Sequence, residues 1–215
     1  MKNLKTLRLV DDSGNGKRTR LTLSERAFLF NQLLVPKRVF FTKGIGSHRD
    51  ELRSFELALR DAGIEKCNLV NVSSILPPGC KITPRSKGLE SLVPGQILFC
   101  VMSRCSSNEP RRLIAASVGC AVPTDHNCYG YLSEHHSFGE TQKKVADFAE
   151  DLAATMLAST LGIALDADKD WNERKQLYVT NENHHFKSRS IAQTAEGHKD
   201  GLWTTVIACA VMLIE

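Results

Sequence analysis

The chain has 215 residues, 42% of them hydrophobic and 24% charged, with seven cysteines and a formal net charge of +4. Those are ordinary values for one globular domain with a core of normal size, and they exclude a disordered, collagen-like or membrane-spanning chain. The positive charge gathers near the start (Lys2, Lys5, Arg8, Lys17, Arg18 and Arg20 among others). No aromatic interleaving or nucleic-acid motif accompanies it, so it reads as solvated surface and no nucleic-acid partner is expected.

Residues 1–20 read as a basic, flexible extension built around Asp11-Asp12-Ser13-Gly14-Asn15-Gly16-Lys17, and 21–215 as the domain proper. Leu9-Val10 runs straight into that polar stretch, unlike a signal peptide. The odd number of cysteines and the absence of a Cys-x-x-Cys pair suit a reduced, cytoplasmic protein.

Ser24-Glu25 can cap a short helix running to Leu34 and stopped by Pro36. Arg38–Thr42 reads as a strand closed by Gly44-Ile45-Gly46-Ser47, whose spacing fits neither dinucleotide nor Walker phosphate loops. Leu52, Phe55, Leu59 and Ala62, at three-to-four spacing, predict a helix over 50–62 with Gly63 as its C-cap. A strand over 68–76 follows, apolar and β-branched to Val72 and stopped by Pro77-Pro78-Gly79. Residues 77–95 are loop-rich. Strands at 96–103, 112–122 and 129–135, separated by polar turns, predict an antiparallel meander. A long helix over 139–162, a strand near 176–179 and a buried apolar strand or helix over 204–214 complete an α+β or αββα sandwich pattern.

The chemistry concentrates at Ser73-Ser74, at the end of the 68–76 strand. Paired serines before prolines ordinarily satisfy local backbone groups. A strained turn there would instead let the Ser74 hydroxyl attack the Ser73 carbonyl, turning amide into ester. β-Elimination would then free a chain ending at Ser73 and leave dehydroalanine at 74, which hydrolyses to a pyruvoyl group with loss of ammonia. A second candidate is Glu134 in Tyr129–His136, where alternation puts it on the side of Gly130 and Leu132. A desolvated carboxyl favours its neutral, proton-donating form, whereas an edge-strand glutamate simply faces water. Glu56 reads, from spacing alone, as an exposed i,i+4 partner of Arg60.

Three further readings stand beside these. A metal site draws on Cys120, His126 and Cys128, or on His135-His136 and His184-His185, without zinc spacing. A serine hydrolase would pair Ser73 or Ser74 with His135, without a Gly-x-Ser-x-Gly elbow. A non-enzymatic, oligomeric binding module would keep the serine pair intact.

Phe55–Ile64, Asn68-Leu69-Val70 and Val72–Pro78 together closely resemble the core of the pyruvoyl-dependent arginine decarboxylases, with further similarity at 117–134 and 190–212. The resemblance implies cleavage between Ser73 and Ser74 into a small and a large chain, and a covalent pyruvoyl cofactor derived from Ser74. It implies neither pyridoxal phosphate nor metal. Decarboxylation of L-arginine to agmatine would then run through a Schiff base with the substrate amine. It further implies that Glu134 protonates the substrate α-carbon and that Asn68 assists cleavage by stabilising the oxyanion. Glu56 falls where relatives bind the guanidinium group with an aspartate, a departure that leaves another basic amino acid open as substrate. The family fold is a four-layer αββα sandwich, assembled as a trimer of two-chain protomers with active sites between subunits.

Overall fold

The computed structural model describes residues 22–162, 165, 171–172, 177–179 and 185–214. The expected extension over 1–20 lies outside the described residues. Lys37–Leu213 is one compact unit, and the chain before it, with the last two residues, is another. In the latter, α1 (Leu23–Leu33) is capped by Thr22 rather than by the expected Ser24. The Thr22 hydroxyl accepts from the Glu25 amide at 3.2 Å, and the Thr22 amide donates to Glu25 Oε2 at 2.7 Å, a reciprocal capping box.

The larger unit is built on two stacked sheets. The first is five-stranded, in the order β2 (Asn68–Asn71), β5 (Ile97–Ser107), β11 (Trp203–Leu213), β1 (Arg38–His48), β4 (Lys81–Ile82). The second is six-stranded and antiparallel throughout, in the order β3 (Ile75–Leu76), β7 (Gly130–Phe138), β6 (Leu113–Pro123), β10 (His185–Glu196), β9 (Leu177–Val179), β8 (Trp171–Asn172). Val101, Val118, Leu132, Ala208 and Ala210 are buried in the core between the sheets. Burying each of the larger side chains contributes roughly 1.5–3 kcal/mol.

Helix α2 (Glu51–Ala62) packs on the outer face of the first sheet and α4 (Gln142–Thr160) on the outer face of the second. Asp50 caps α2 by accepting from the Leu52 and Arg53 amides, and Gly63 ends it at φ 78°, as the sequence predicts. The helix buries Ser54, Ala58 and Ala62 against β1. There the expected glycine turn proves to be strand: β1 runs through Gly44 and Gly46 to His48. A Cβ at Gly44 would stand 2.1 Å from the Ala58 carbonyl oxygen and one at Gly46 2.2 Å from that of Ser54. These glycines let helix and sheet backbones touch.

Other expectations change in informative ways. The single 68–76 strand is two strands, β2 and β3, in different sheets. The predicted meander is broken for the same reason: β6 and β7 pair, while β5 belongs to the other sheet. Residues 77–95 contain β4 and a short helix, α3 (Arg85–Glu90). The last apolar run is β11, at the centre of the first sheet, and β10 is a long strand that no periodicity had announced. Among the described residues no helix is long and apolar enough to cross a membrane.

Candidate active site

Asn71 is the last residue of β2, and the chain then crosses from one sheet to the other. The Val72 amide still donates to the Cys100 carbonyl of β5 at 3.0 Å. Two residues later, the Ser74 carbonyl accepts from the Leu132 amide of β7 at 2.7 Å. The peptide between Ser73 and Ser74 is thus the span between sheets, tied down on both sides. The Ile75 amide donates to the Ser73 carbonyl at 3.1 Å, closing a three-residue turn about Ser74. No left-handed φ is involved: among the described non-glycine residues only Arg111 has positive φ. A tight turn, rather than an unusual φ, shapes the segment.

Register brings Glu134 to this crossing. Leu132 bonds to Ser74, and Ile75 pairs with Tyr131, so Glu134 lies two residues beyond Leu132. That is about 7 Å along the strand. Its side chain shares the face of Leu132, which is buried between the sheets. Glu134 is exposed on the single chain, yet the protein around its carboxyl raises its pKa above the ordinary value, with His136 opposing. That shift favours a carboxyl that holds a proton and can give it up.

His135, one residue on, turns the other way. Its ring lies 4.4 Å from that of Phe148 on α4, and its Nε2 is 3.5 Å from Glu140 Oε2. His135 thus faces α4, and no hydrogen bond from it to Ser73 or Ser74 is seen among the described residues. Burial pushes the Cys80 thiol up to about 11 and that of Cys120 up to about 12, leaving both as poor nucleophiles near neutral pH. Among the described residues no three His, Cys, Asp or Glu side chains converge as metal ligands.

Asn68 and Glu56 belong elsewhere on the unit. Asn68 starts β2, six residues before Ser74. Its amide side chain donates to the Gly95 carbonyl at 3.0 Å. With Phe55, Leu59, Asn71, Met102 and Arg104 it lines a groove of about 490 Å³. Glu56 stands one helical turn from Leu59 and is half-buried. Its Oε1 accepts from Arg60 Nε, the pairing that spacing predicts, while its buried Oε2 has Arg53 Nη1 4.0 Å away and no hydrogen bond. One chain therefore brings Ser73, Ser74 and Glu134 onto adjoining segments, while Asn68 starts β2 bonded to Gly95.

Sequence reasoning missed the polar groups nearest the serines, the amides of Ile75 and Leu132 and the Cys100 carbonyl, because main-chain groups leave no residue signature. It also missed Arg104, whose guanidinium lies 4.1 Å over the Phe55 ring and bonds Glu51 at 3.1 Å. Period-two alternation from Cys100 through Met102 would have placed Arg104 on the α2 side. Asn71 was overlooked too: its side-chain oxygen accepts from the Cys100 thiol at 3.5 Å.

Residues 38–215 match the sequence profile of the family described as pyruvoyl-dependent arginine decarboxylase. A probable pyruvoyl-dependent arginine decarboxylase of Chloroherpeton thalassium is 59% identical over 179 residues, 83% of this chain and 98% of that protein. The pyruvoyl-dependent arginine decarboxylase of Methanococcoides burtonii is 56% identical over 181 residues, 84% of this chain and 100% of that protein. A similar protein of Methanosarcina mazei is 56% identical over 180 residues, 84% of this chain and 98% of that protein.

Proposed function

The chain belongs to the pyruvoyl-dependent arginine decarboxylase family, and from that premise we propose that it converts L-arginine to agmatine and carbon dioxide with a cofactor made from its own Ser74. The observation that carries this reading is the crossing peptide: Ser73 and Ser74 stand between two sheets, with Glu134 on the adjoining strand.

The residues present fit the group. Ser74 Oγ attacks the Ser73 carbonyl carbon, the carbon–nitrogen bond breaks, and the proton passes to the Ser74 nitrogen. The resulting ester loses the Ser74 α-proton and expels the Ser73 carboxylate. Water then replaces nitrogen at dehydroalanine 74, releasing ammonia. Val72 and Ser74, each bonded into its own sheet, keep both new ends in place. The small chain ends at Ser73 and the large chain begins at 74. Once formed, the pyruvoyl group supplies a ketone for the substrate amine and a conjugated carbonyl that accepts the electrons left by carbon dioxide.

Glu134 supplies the proton to the substrate α-carbon. The pKa raised by burial keeps its carboxyl protonated further up the pH scale than an exposed glutamate. Glu56 receives the basic end of the substrate. Asn68 assists cleavage; because its own amide is committed to Gly95 at the start of β2, we assign that role to the site of a neighbouring subunit. That placement fits a homotrimer of two-chain protomers with active sites at the interfaces. Exposed Val70, Ile75, Val93 and Ile97 supply apolar surface for such contacts. The enzyme works in the cytoplasm, and its amine product enters polyamine synthesis. A lysine or ornithine substrate is a second reading, favoured by Arg60, which already occupies one oxygen of Glu56 and spoils a two-pronged grip on guanidinium.

Intact-mass spectrometry tests the proposal. The wild type should give two chains cut between Ser73 and Ser74, the larger with a ketone-blocked N-terminus, and should release agmatine from arginine. Ser74→Ala should remain whole and inactive. An uncleaved wild type would remove the chemical basis of the assignment.

A further inference from the structure

The Ser73 carbonyl oxygen is the atom on which negative charge develops when Ser74 Oγ attacks. The Ile75 amide already lies 3.1 Å from it, within the turn about Ser74. We infer that the main-chain N–H of Ile75 is an oxyanion donor for self-cleavage, supplied by the same chain that is cut; the inference rests on the cleavage reading above.

The geometry supplies what such a donor needs. Attack forms a five-membered ring through Oγ, Cβ, Cα and N of Ser74 and the Ser73 carbonyl carbon. The carbonyl oxygen becomes an alkoxide while the Oγ proton leaves. Collapse breaks the carbon–nitrogen bond, delivers a proton to nitrogen and restores a carbonyl in the ester. Throughout, the oxygen stays on the side of Ile75, because two bonds fix the turn from outside: Val72 to Cys100 in one sheet and Leu132 to Ser74 in the other. A neutral hydrogen bond in the resting chain becomes charge-assisted as the oxyanion forms, so it strengthens where it accelerates the reaction. Among the described residues no side chain is seen to do this, and Asn68 commits its amide to Gly95 at the far end of β2. A donor arriving from a neighbouring Asn68 would be the second of a pair, and Ile75 the first.

The donor can be deleted without touching any side chain. Cell-free translation with residue 75 supplied as its α-hydroxy acid replaces this N–H by an ester oxygen. The matched control places the α-hydroxy acid of leucine at 132, removing the bond to the Ser74 carbonyl and leaving the Ile75 donor. Cleavage is followed by mass against the wild type. The ester at 75 should slow cleavage by roughly 100- to 1,000-fold, and the ester at 132 should slow it far less. Cleavage at the wild-type rate with the ester at 75 overturns the inference. Equal slowing by both esters also overturns it, because the effect would then be that of a loosened turn. A wild type that never cleaves removes the cleavage reading itself, and with it the need for any donor.

Discussion

The start of β2 and the crossing that follows its end differ in what their hydrogen bonds hold. At Asn68 the backbone amide bonds Gln96 at 2.8 Å and the side chain bonds Gly95, so this end is fastened to the turn before β5. At Ser73 the ladder has stopped, and successive bonds go to different sheets. The first end is an edge strand like many others. The second concentrates main-chain donors and acceptors around a single peptide, the one that the proposed cleavage breaks. On the proposed cleavage, the contrast teaches that reactivity comes from where the chain changes layers, not from an unusual side chain.

Ser74→Ala breaks the contrast most completely. It removes the hydroxyl and should abolish cleavage and decarboxylation, leaving one chain on a denaturing gel and an Asn68 end with unchanged amide exchange. Glu134→Gln comes next. Cleavage should still occur, while arginine turnover falls roughly 100- to 10,000-fold, as expected for loss of a positioned acid. Its pH dependence has a definite sign. Burial raises the folded pKa of Glu134, so the acid is competent at low pH and is lost as pH rises through that raised value. The same linkage makes its contribution to stability full below the ordinary carboxylate pKa and lost as pH climbs through the folded one. The Gln variant should lose both dependences, checked by pH–rate profiles and by melting at several pH values.

Asn68→Ala sharpens the comparison further. Cleavage should slow, by up to roughly 100-fold if its amide serves as a donor in the partner's site. Co-expression with Ser74→Ala should restore part of it, because the uncuttable subunit lends its asparagine to a neighbour that can be cut. Failure to rescue would place Asn68 in its own chain's reaction. The smallest effect belongs to Arg60→Gln. This exposed partner of Glu56 should leave the melting temperature unchanged within error. By freeing Glu56 Oε1 it should raise the preference for arginine over lysine, measured as the ratio of kcat/KM values.

Much of the fold was legible because its signals are local. The capped, amphipathic stretch of α2 and the apolar runs of β5, β6 and β7 announce themselves within a few residues. What failed was long-range. Little between Asn68 and Leu76 says that the strand divides between sheets: only the polar Ser73-Ser74 pair interrupts it, and no glycine marks the bend. Gly44 and Gly46 misled for a related reason: glycine signals a turn locally, but here it answers to the backbone of α2 pressing from above. At the candidate site, Ser73, Ser74 and Glu134 could be singled out by residue type and resemblance. The Ile75, Leu132 and Cys100 main-chain groups could not, because every residue carries them.

The placement of β1 and β2 has a consequence for the lifetime of the molecule. Both precede Ser73, yet β1 pairs with β11 and β4, and β2 with β5, all of which follow the cut. Severing the crossing would leave two pieces woven through one sheet, held by noncovalent bonds alone. Such an enzyme could fold from one polymer only before maturation. After denaturation its pieces must find each other in solution, so recovery becomes dilution-sensitive and the damaged protein is better replaced than repaired. Maturation is a ratchet: the same event that equips the enzyme erases the covalent instruction for rebuilding it.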